Sequence, residues 1–138
     1  MSASIDQARQ ALQSQPFSQL LGTELTRYGE EGVELQIPIT DRIKQQNGFV
    51  HGGVVSYAAD NALTFAGATA LGPMVLTAEY KINYVRPAVG EALLARASVI
   101  HGGRTQAVCR CEVFMVRGDE AVLCAVAQGT ISRVGTRA

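Results

Sequence analysis

The stretch His51-Gly52-Gly53-Val54-Val55-Ser56-Tyr57-Ala58-Ala59-Asp60-Asn61-Ala62-Leu63-Thr64-Phe65-Ala66-Gly67-Ala68-Thr69-Ala70-Leu71 decides the fold. From Gly53 to Ala70 it is rich in alanine and valine and free of proline, and about eighteen residues is too long for a strand but ordinary for a helix. Gly72-Pro73 supplies the stop. Gly53, Tyr57, Asp60, Asn61, Thr64 and Gly67 fall near one stripe, while apolar side chains spread over most of the remaining circumference, so this helix must be largely enclosed. Two features inside it ask for a reason. The paired glycines leave bare backbone N–H groups at the helix mouth, and the lone acid, Asp60, is costly there without a partner or a task.

Downstream, four long strands are expected at roughly Val75 to Val85, Glu91 to His101, Thr105 to Arg117 and Glu120 to Arg133. Turn signals separate them at Arg86 to Gly90, at His101 to Arg104 and at Arg117 to Glu120. In the third strand Ala107, Cys109, Cys111, Val113 and Met115 alternate with Gln106, Arg110 and Glu112, so one face is dry and the other at least partly wet. Glu79, Lys81 and Asn83 likewise alternate with Tyr80, Ile82 and Tyr84. Upstream, Ser4 can cap a helix from Ile5 to Gln13 that Pro16 stops, Phe17 to Gly22 reads as a short helical turn, and Glu24 to Tyr28 and Gly32 to Ile37 form a hairpin. Asp41 to Val50 is a polar loop without periodicity, of the kind that carries sites. Short connections imply antiparallel neighbours. The expected class is α+β: one long central helix wrapped by a mainly antiparallel sheet of five to six strands, in a single domain over residues 1–138, with an outer N-terminal helix in residues 1–16 and a flexible tail at 134–138.

Twelve basic residues balance twelve acidic ones, which gives no reason to expect nucleic acid or an anionic membrane as the main partner. No run reaches the roughly 18 to 20 apolar residues of a spanning helix, and the first residues lack a basic and an apolar leader region, so a cytoplasmic location is expected. Cys109, Cys111 and Cys124 sit in strand-like runs, match neither a disulfide framework nor zinc-ligand spacing, and read as small reduced core residues.

His51-Gly52-Gly53 with Asp60 nine positions after the histidine, Gly48, Gln45, the strand Thr77 to Tyr84 ending in Arg86-Pro87-Ala88, and Gly103-Arg104-Thr105 resemble the hotdog-fold acyl-CoA thioesterases of the phenylacetate-degradation type. The resemblance covers roughly Leu20 to Arg133 and implies hydrolysis of an acyl thioester without a metal or other cofactor. It further implies that Gln45 holds the acyl carbonyl or the water, that His51 orients the loop or the thioester, and that Thr64 and Thr77 orient the water or the carboxylate. Asn47, Phe49, Gly53 and Tyr57 are then substrate contacts, and Gly103 with Arg104 lies near the coenzyme A moiety. Other readings stand beside these: His51 as a helix cap, Thr77 as a strand residue facing the core, and the second His-Gly-Gly, at His101, as nothing more than a hairpin turn. Phe49, Tyr57 and Phe65 are candidates for an apolar channel between subunits.

The chemistry of the first His-Gly-Gly can be argued on physical grounds. A thioester carbonyl set against the Gly52 and Gly53 N–H groups would be polarised by fixed donors and by the helix dipole. Asp60 could activate water as a general base or attack the acyl carbon itself. Asp60 lies eight residues beyond Gly52, or roughly 12 Å along a helix, whereas attacking group and oxyanion donors must both sit about 3 Å from one carbonyl. A second subunit offering its Asp60 to the first subunit's Gly52 removes the conflict, so a homodimer with composite sites is expected, with a dimer of dimers as a further step. Two other functions fit less of the sequence. A hotdog hydratase or dehydratase needs an acid/base pair at the acyl α and β carbons, and this chain lacks the Asp-x-Asn-x-x-His arrangement of one such branch; a non-catalytic acyl-CoA sensor leaves the carboxylate unexplained.

Overall fold

The computed structural model describes residues 4–135. Helix α1, Ile5–Gln13, opens on a capping box in which the Ser4 hydroxyl accepts from the Gln7 N–H at 3.2 Å and the Gln7 side chain accepts from the Ser4 N–H at 3.0 Å. It buries Ala8 and Leu12. Pro16 does more than stop this helix: α1 ends at Ser14, and Pro16 starts α2, Pro16–Leu21, where a proline's missing N–H has no consequence. Gly22 closes α2 in the left-handed conformation, φ 73°.

Strands β1 (Glu24–Gly29) and β2 (Gly32–Pro38) form the expected hairpin. A 3-10 turn at Asp41–Ile43 and a bridge between Lys44 and Val50 give the loop before the long helix more order than its sequence suggests. The long helix, α3, runs from Gly52 to Leu71. Strands β3 (Val75–Tyr84), β4 (Ala92–Gly102), β5 (Gln106–Arg117) and β6 (Glu120–Arg133) complete one six-stranded sheet of order β1-β2-β4-β5-β6-β3, antiparallel at every pairing. The last residues of the expected tail, from Thr136, and the first three of the N-terminal segment lie outside the described residues.

Alternation in β5 buries Ala107, Cys109, Cys111, Val113 and Met115 against the helix, as the sequence pattern requires. With Leu35, Ile37, Leu63, Leu93 and Ile131 they make the core between the sheet and α3. Gly67 belongs to this core and not to the polar stripe where its spacing put it. A methyl group there would stand 2.6 Å from Cβ and Cγ2 of Ile131 on β6, so the glycine sets how closely the helix approaches the sheet. Those atoms are branched and anchored at the strand backbone and cannot swing aside. Gly67→Ala should therefore lower stability by about 1–2 kcal/mol, since overpacking of about 1–3 kcal/mol outweighs the gain in helix propensity. A denaturant midpoint equal to or above that of the native sequence would show that the helix can lift off the sheet without cost.

Candidate active site

Three contacts tie β3 to one stripe of α3. The Tyr84 hydroxyl donates to the Gly52 carbonyl at 3.2 Å, the Tyr80 hydroxyl bonds the Ser56 hydroxyl, and the Thr77 hydroxyl donates to Asp60 Oδ1 at 2.6 Å. On the helix these partners are four residues apart, hence on one face. On the strand Thr77 and Tyr80 are three apart, which in regular alternation would point them to opposite faces. A bulge resolves this. Thr77 pairs with Ile131 and Glu79 with Thr130 on β6, leaving Ala78 as an extra residue, so Val75, Thr77, Tyr80 and Ile82 all turn inward. Neither the bulge nor the roles of Tyr80, Tyr84 and Ser56 were read from the sequence. The sequence carries no sign of the bulge, since apolar residues occupy every even position from Leu76 to Tyr84 and only the folded strand turns Val75 and Thr77 inward.

Asp60 is half-buried. One carboxylate oxygen is held by Thr77, whose hydroxyl also lies 2.8 Å from that of Thr64. Thr64 donates to the Asp60 backbone carbonyl at 2.8 Å. The expected trio of Asp60, Thr64 and Thr77 is thus one cluster. Among the described residues nothing hydrogen-bonds the second oxygen, Oδ2, so it is open to a water molecule or an acyl carbon.

At the mouth of α3 the arrangement differs from the expectation of two free donors. His51 is the N-cap, and its Nδ1 accepts from the Gly53 N–H at 2.8 Å. That bond leaves the proton of the neutral ring on Nε2. The N–H groups of Val54 and Val55 go to the His51 carbonyl. Gly52 is left as the first-turn residue whose N–H meets no protein acceptor among the described residues. A Cβ at Gly53 would come within 2.9 Å of His51 Nδ1, whereas one at Gly52 would meet only the Tyr84 ring at 3.7 Å. Gly53 therefore serves the cap. Beside Gly52, Val50, Val55, Tyr84 and Arg86 help to line a cavity of about 300 Å³.

Gln45 lies in the loop that leads to this mouth. Its side-chain oxygen accepts from the N–H groups of Asn47 and Phe49, and the Gln45 and Phe49 backbones bond at 2.8 Å. The amide nitrogen thereby faces away from the loop, as a donor. Asn47 and Phe49 are exposed. The Tyr57 hydroxyl lies 2.6 Å from Ser18 Oγ and 2.8 Å from Thr23 Oγ1, accepts from Asn61 at 3.2 Å, and so fastens α2 and the chain after it to α3. The Tyr57 ring meets the Phe17 edge, while Phe65 packs against Tyr28.

The second His-Gly-Gly is a hairpin turn between β4 and β5, closed by Gly103 N–H donating to the Gln106 carbonyl at 2.8 Å. A Cβ at Gly102 would touch Ala70, which sets this turn against the far end of α3, roughly 27 Å from Gly52 along the helix. Arg104 is exposed there, in no ion pair among the described residues. Cysteine chemistry finds no support. Burial pushes the Cys109 and Cys124 thiols up to about 11 and that of Cys111 to about 12, which keeps all three protonated at neutral pH.

The model of the thioesterase superfamily matches residues 47–122, from the loop before α3 through to β6. The chain belongs to the thioesterase superfamily. A putative esterase of Haemophilus influenzae is 32% identical over 114 residues, spanning 81% of this chain and 80% of that protein. The crystal structure of a thioesterase family protein from Silicibacter pomeroyi superposes with a TM-score of 0.89 at 32% identity, over 96% of this chain and all of that one. The Escherichia coli PaaI protein from the phenylacetic acid degradation operon shares the fold, with a TM-score of 0.83 over 94% and 92% of the two chains at 21% identity. This member of the superfamily is a hotdog-fold thioester hydrolase, and Asp60 and Gly52 both lie inside the matched segment.

Proposed function

We propose that the chain hydrolyses acyl-CoA thioesters to a free carboxylic acid and a thiol at sites shared between two subunits. The observation that carries the reading is the Asp60 carboxylate, fixed by Thr77 at one oxygen and open at the other, in a helix whose mouth offers one unsatisfied N–H at Gly52. The Gly52 N–H, aided by the helix dipole and by the Gln45 amide, polarises the carbonyl, and Asp60 of the partner subunit assists the attack of water. His51 orients the mouth as its cap, Thr64 and Thr77 orient the carboxylate, Asn47 and Phe49 flank the entering substrate, and Arg104 beside Gly103 meets a coenzyme A phosphate.

The dimer rests on two further observations. The helix rise of roughly 12 Å between Gly52 and Asp60 keeps one helix from serving one carbonyl twice. Strand β3 is also an edge of the sheet, with exposed Leu76 and Tyr84 on it and exposed Met74 and Val85 flanking it, an arrangement that invites a second copy. Thiol release from phenylacetyl-CoA, benzoyl-CoA, straight-chain acyl-CoAs and acyl carrier protein thioesters tests the reading. Turnover of coenzyme A esters is expected; binding without thiol release across the panel would overturn hydrolysis in favour of a sensor.

A further inference from the structure

A cleft of about 560 Å³ opens between α1, α3 and the start of β3, away from the mouth of α3. Its walls are mostly hydrocarbon: Ala8 and Ala11 of α1, Phe65 and Ala68 of α3, and Val75 of β3, with Tyr28 behind Phe65. The side-chain oxygens of the two glutamines on its rim are engaged, that of Gln7 accepting from Ser4 and that of Gln15 from Ser18 and Asn61. Burial raises the Tyr28 pKa, so that wall stays neutral. This volume lies within the range of roughly 300–1,000 Å³ that holds small organic ligands.

The cleft reaches Thr64, one helical turn from the carboxylate. Thr64 lines it and bonds the Thr77 hydroxyl that holds Asp60, and Val75 is the inward residue next before Thr77 on the same strand. Thr64 is one helical turn from Asp60, a rise of about 6 Å, so an acyl chain whose carbonyl carbon sits at Asp60 enters the cleft within its first few carbons. We infer that this cleft is the acyl pocket, that its ligand is an unsubstituted hydrocarbon chain well beyond acetyl length, and that Ala11 and Ala68 set specificity by leaving room for it. The inference rests on the proposed hydrolysis at Asp60. It also gives the composite site a polarity: the acyl chain lies in the subunit that supplies Asp60, and the carbonyl oxygen points to the subunit that supplies Gly52.

The test is the kcat/KM series for straight-chain acyl-CoAs from acetyl to dodecanoyl with the native sequence, Ala68→Leu and Ala11→Leu, each confirmed as folded by circular dichroism. With the native sequence kcat/KM should climb up to about fourfold per methylene until the cleft is full, the fold-change that corresponds to burying one CH₂. Ala68→Leu, from α3, and Ala11→Leu, from the opposite wall, should each lower the decanoyl-to-acetyl ratio tenfold or more. A flat native series, or ratios in both variants within twofold of the native one, would overturn the pocket assignment while hydrolysis stands. No thiol release at any length would overturn hydrolysis and the pocket with it.

Discussion

Asp60→Asn is expected to lower kcat by about 10²–10⁴-fold, the range lost with a positioned general base, with little change in KM. The substitution is close to isosteric. Its Oδ1 can still accept from Thr77, so the contact that seats the side chain survives, and what disappears is the negative charge at the open oxygen. Both chemical roles left open for Asp60 need that charge, as base or as nucleophile, and single-turnover trapping of an acyl-enzyme in the native protein would separate them. Thr77→Val should cost less, on the order of 10-fold, because it removes one hydrogen bond to a charged group and leaves the charge in place. Equal activities of Asp60→Asn and native protein on the same acyl-CoA, at matched folding, would remove Asp60 from the reaction.

How far the sequence carried the reading differs between the helix and its surroundings. The long apolar run, free of proline and bounded by Gly-Gly and Gly-Pro, could be little but an enclosed helix, and α3 spans Gly52–Leu71. The alternation in β5 was equally legible, because a period of two with small apolar residues on one side has one simple interpretation. Gly67 is not legible because periodicity sorts residues by polarity, and a glycine at a close crossing carries no polarity to sort; only Ile131, sixty-four residues later on β6, gives it meaning. The Tyr57 hydroxyl bonds Ser18 and Thr23, which the sequence does not reveal because these partners sit on segments whose position depends on the finished fold. Gly53 was read as a second donor because sequence does not show where a cap side chain turns, and the His51 ring folds back onto it. The bulge at Ala78 is the most consequential omission, because without it Thr77 would face away from Asp60.

The same bulge gives the proposed shared site a register. Along β3 the helix-facing residues Tyr84, Ile82, Tyr80 and Thr77 become equally spaced once Ala78 is taken out of phase, and Tyr84 and Thr77 mark the levels of Gly52 and Asp60 on the helix behind them. If two β3 edges pair antiparallel about Lys81, Tyr80 faces the partner's Ile82 and Thr77 faces the partner's Tyr84. Asp60 of each chain then stands level with the partner's Gly52, and paired strands lie only about 4.8 Å apart. The cost is one lysine facing its own copy, a repulsion of up to roughly 1 kcal/mol that Glu79, diagonal to it, offsets in part. Complementation tests the arrangement. In Gly52→Val the first side-chain carbon meets Tyr84 only at ordinary contact distance, so the fold should hold while the branched side chain obstructs the N–H. Alone, this variant and Asp60→Asn should each retain about 1% of native activity or less, as when an oxyanion donor or a general base is lost. Refolded together at equal concentrations, half of the dimers are mixed and each mixed dimer holds one intact site, so activity should return to about a quarter of native. Mixed dimers that form, as shown by tag-based isolation, and yet stay as inactive as their parents would place Gly52 and Asp60 in separate functions and dissolve the shared site.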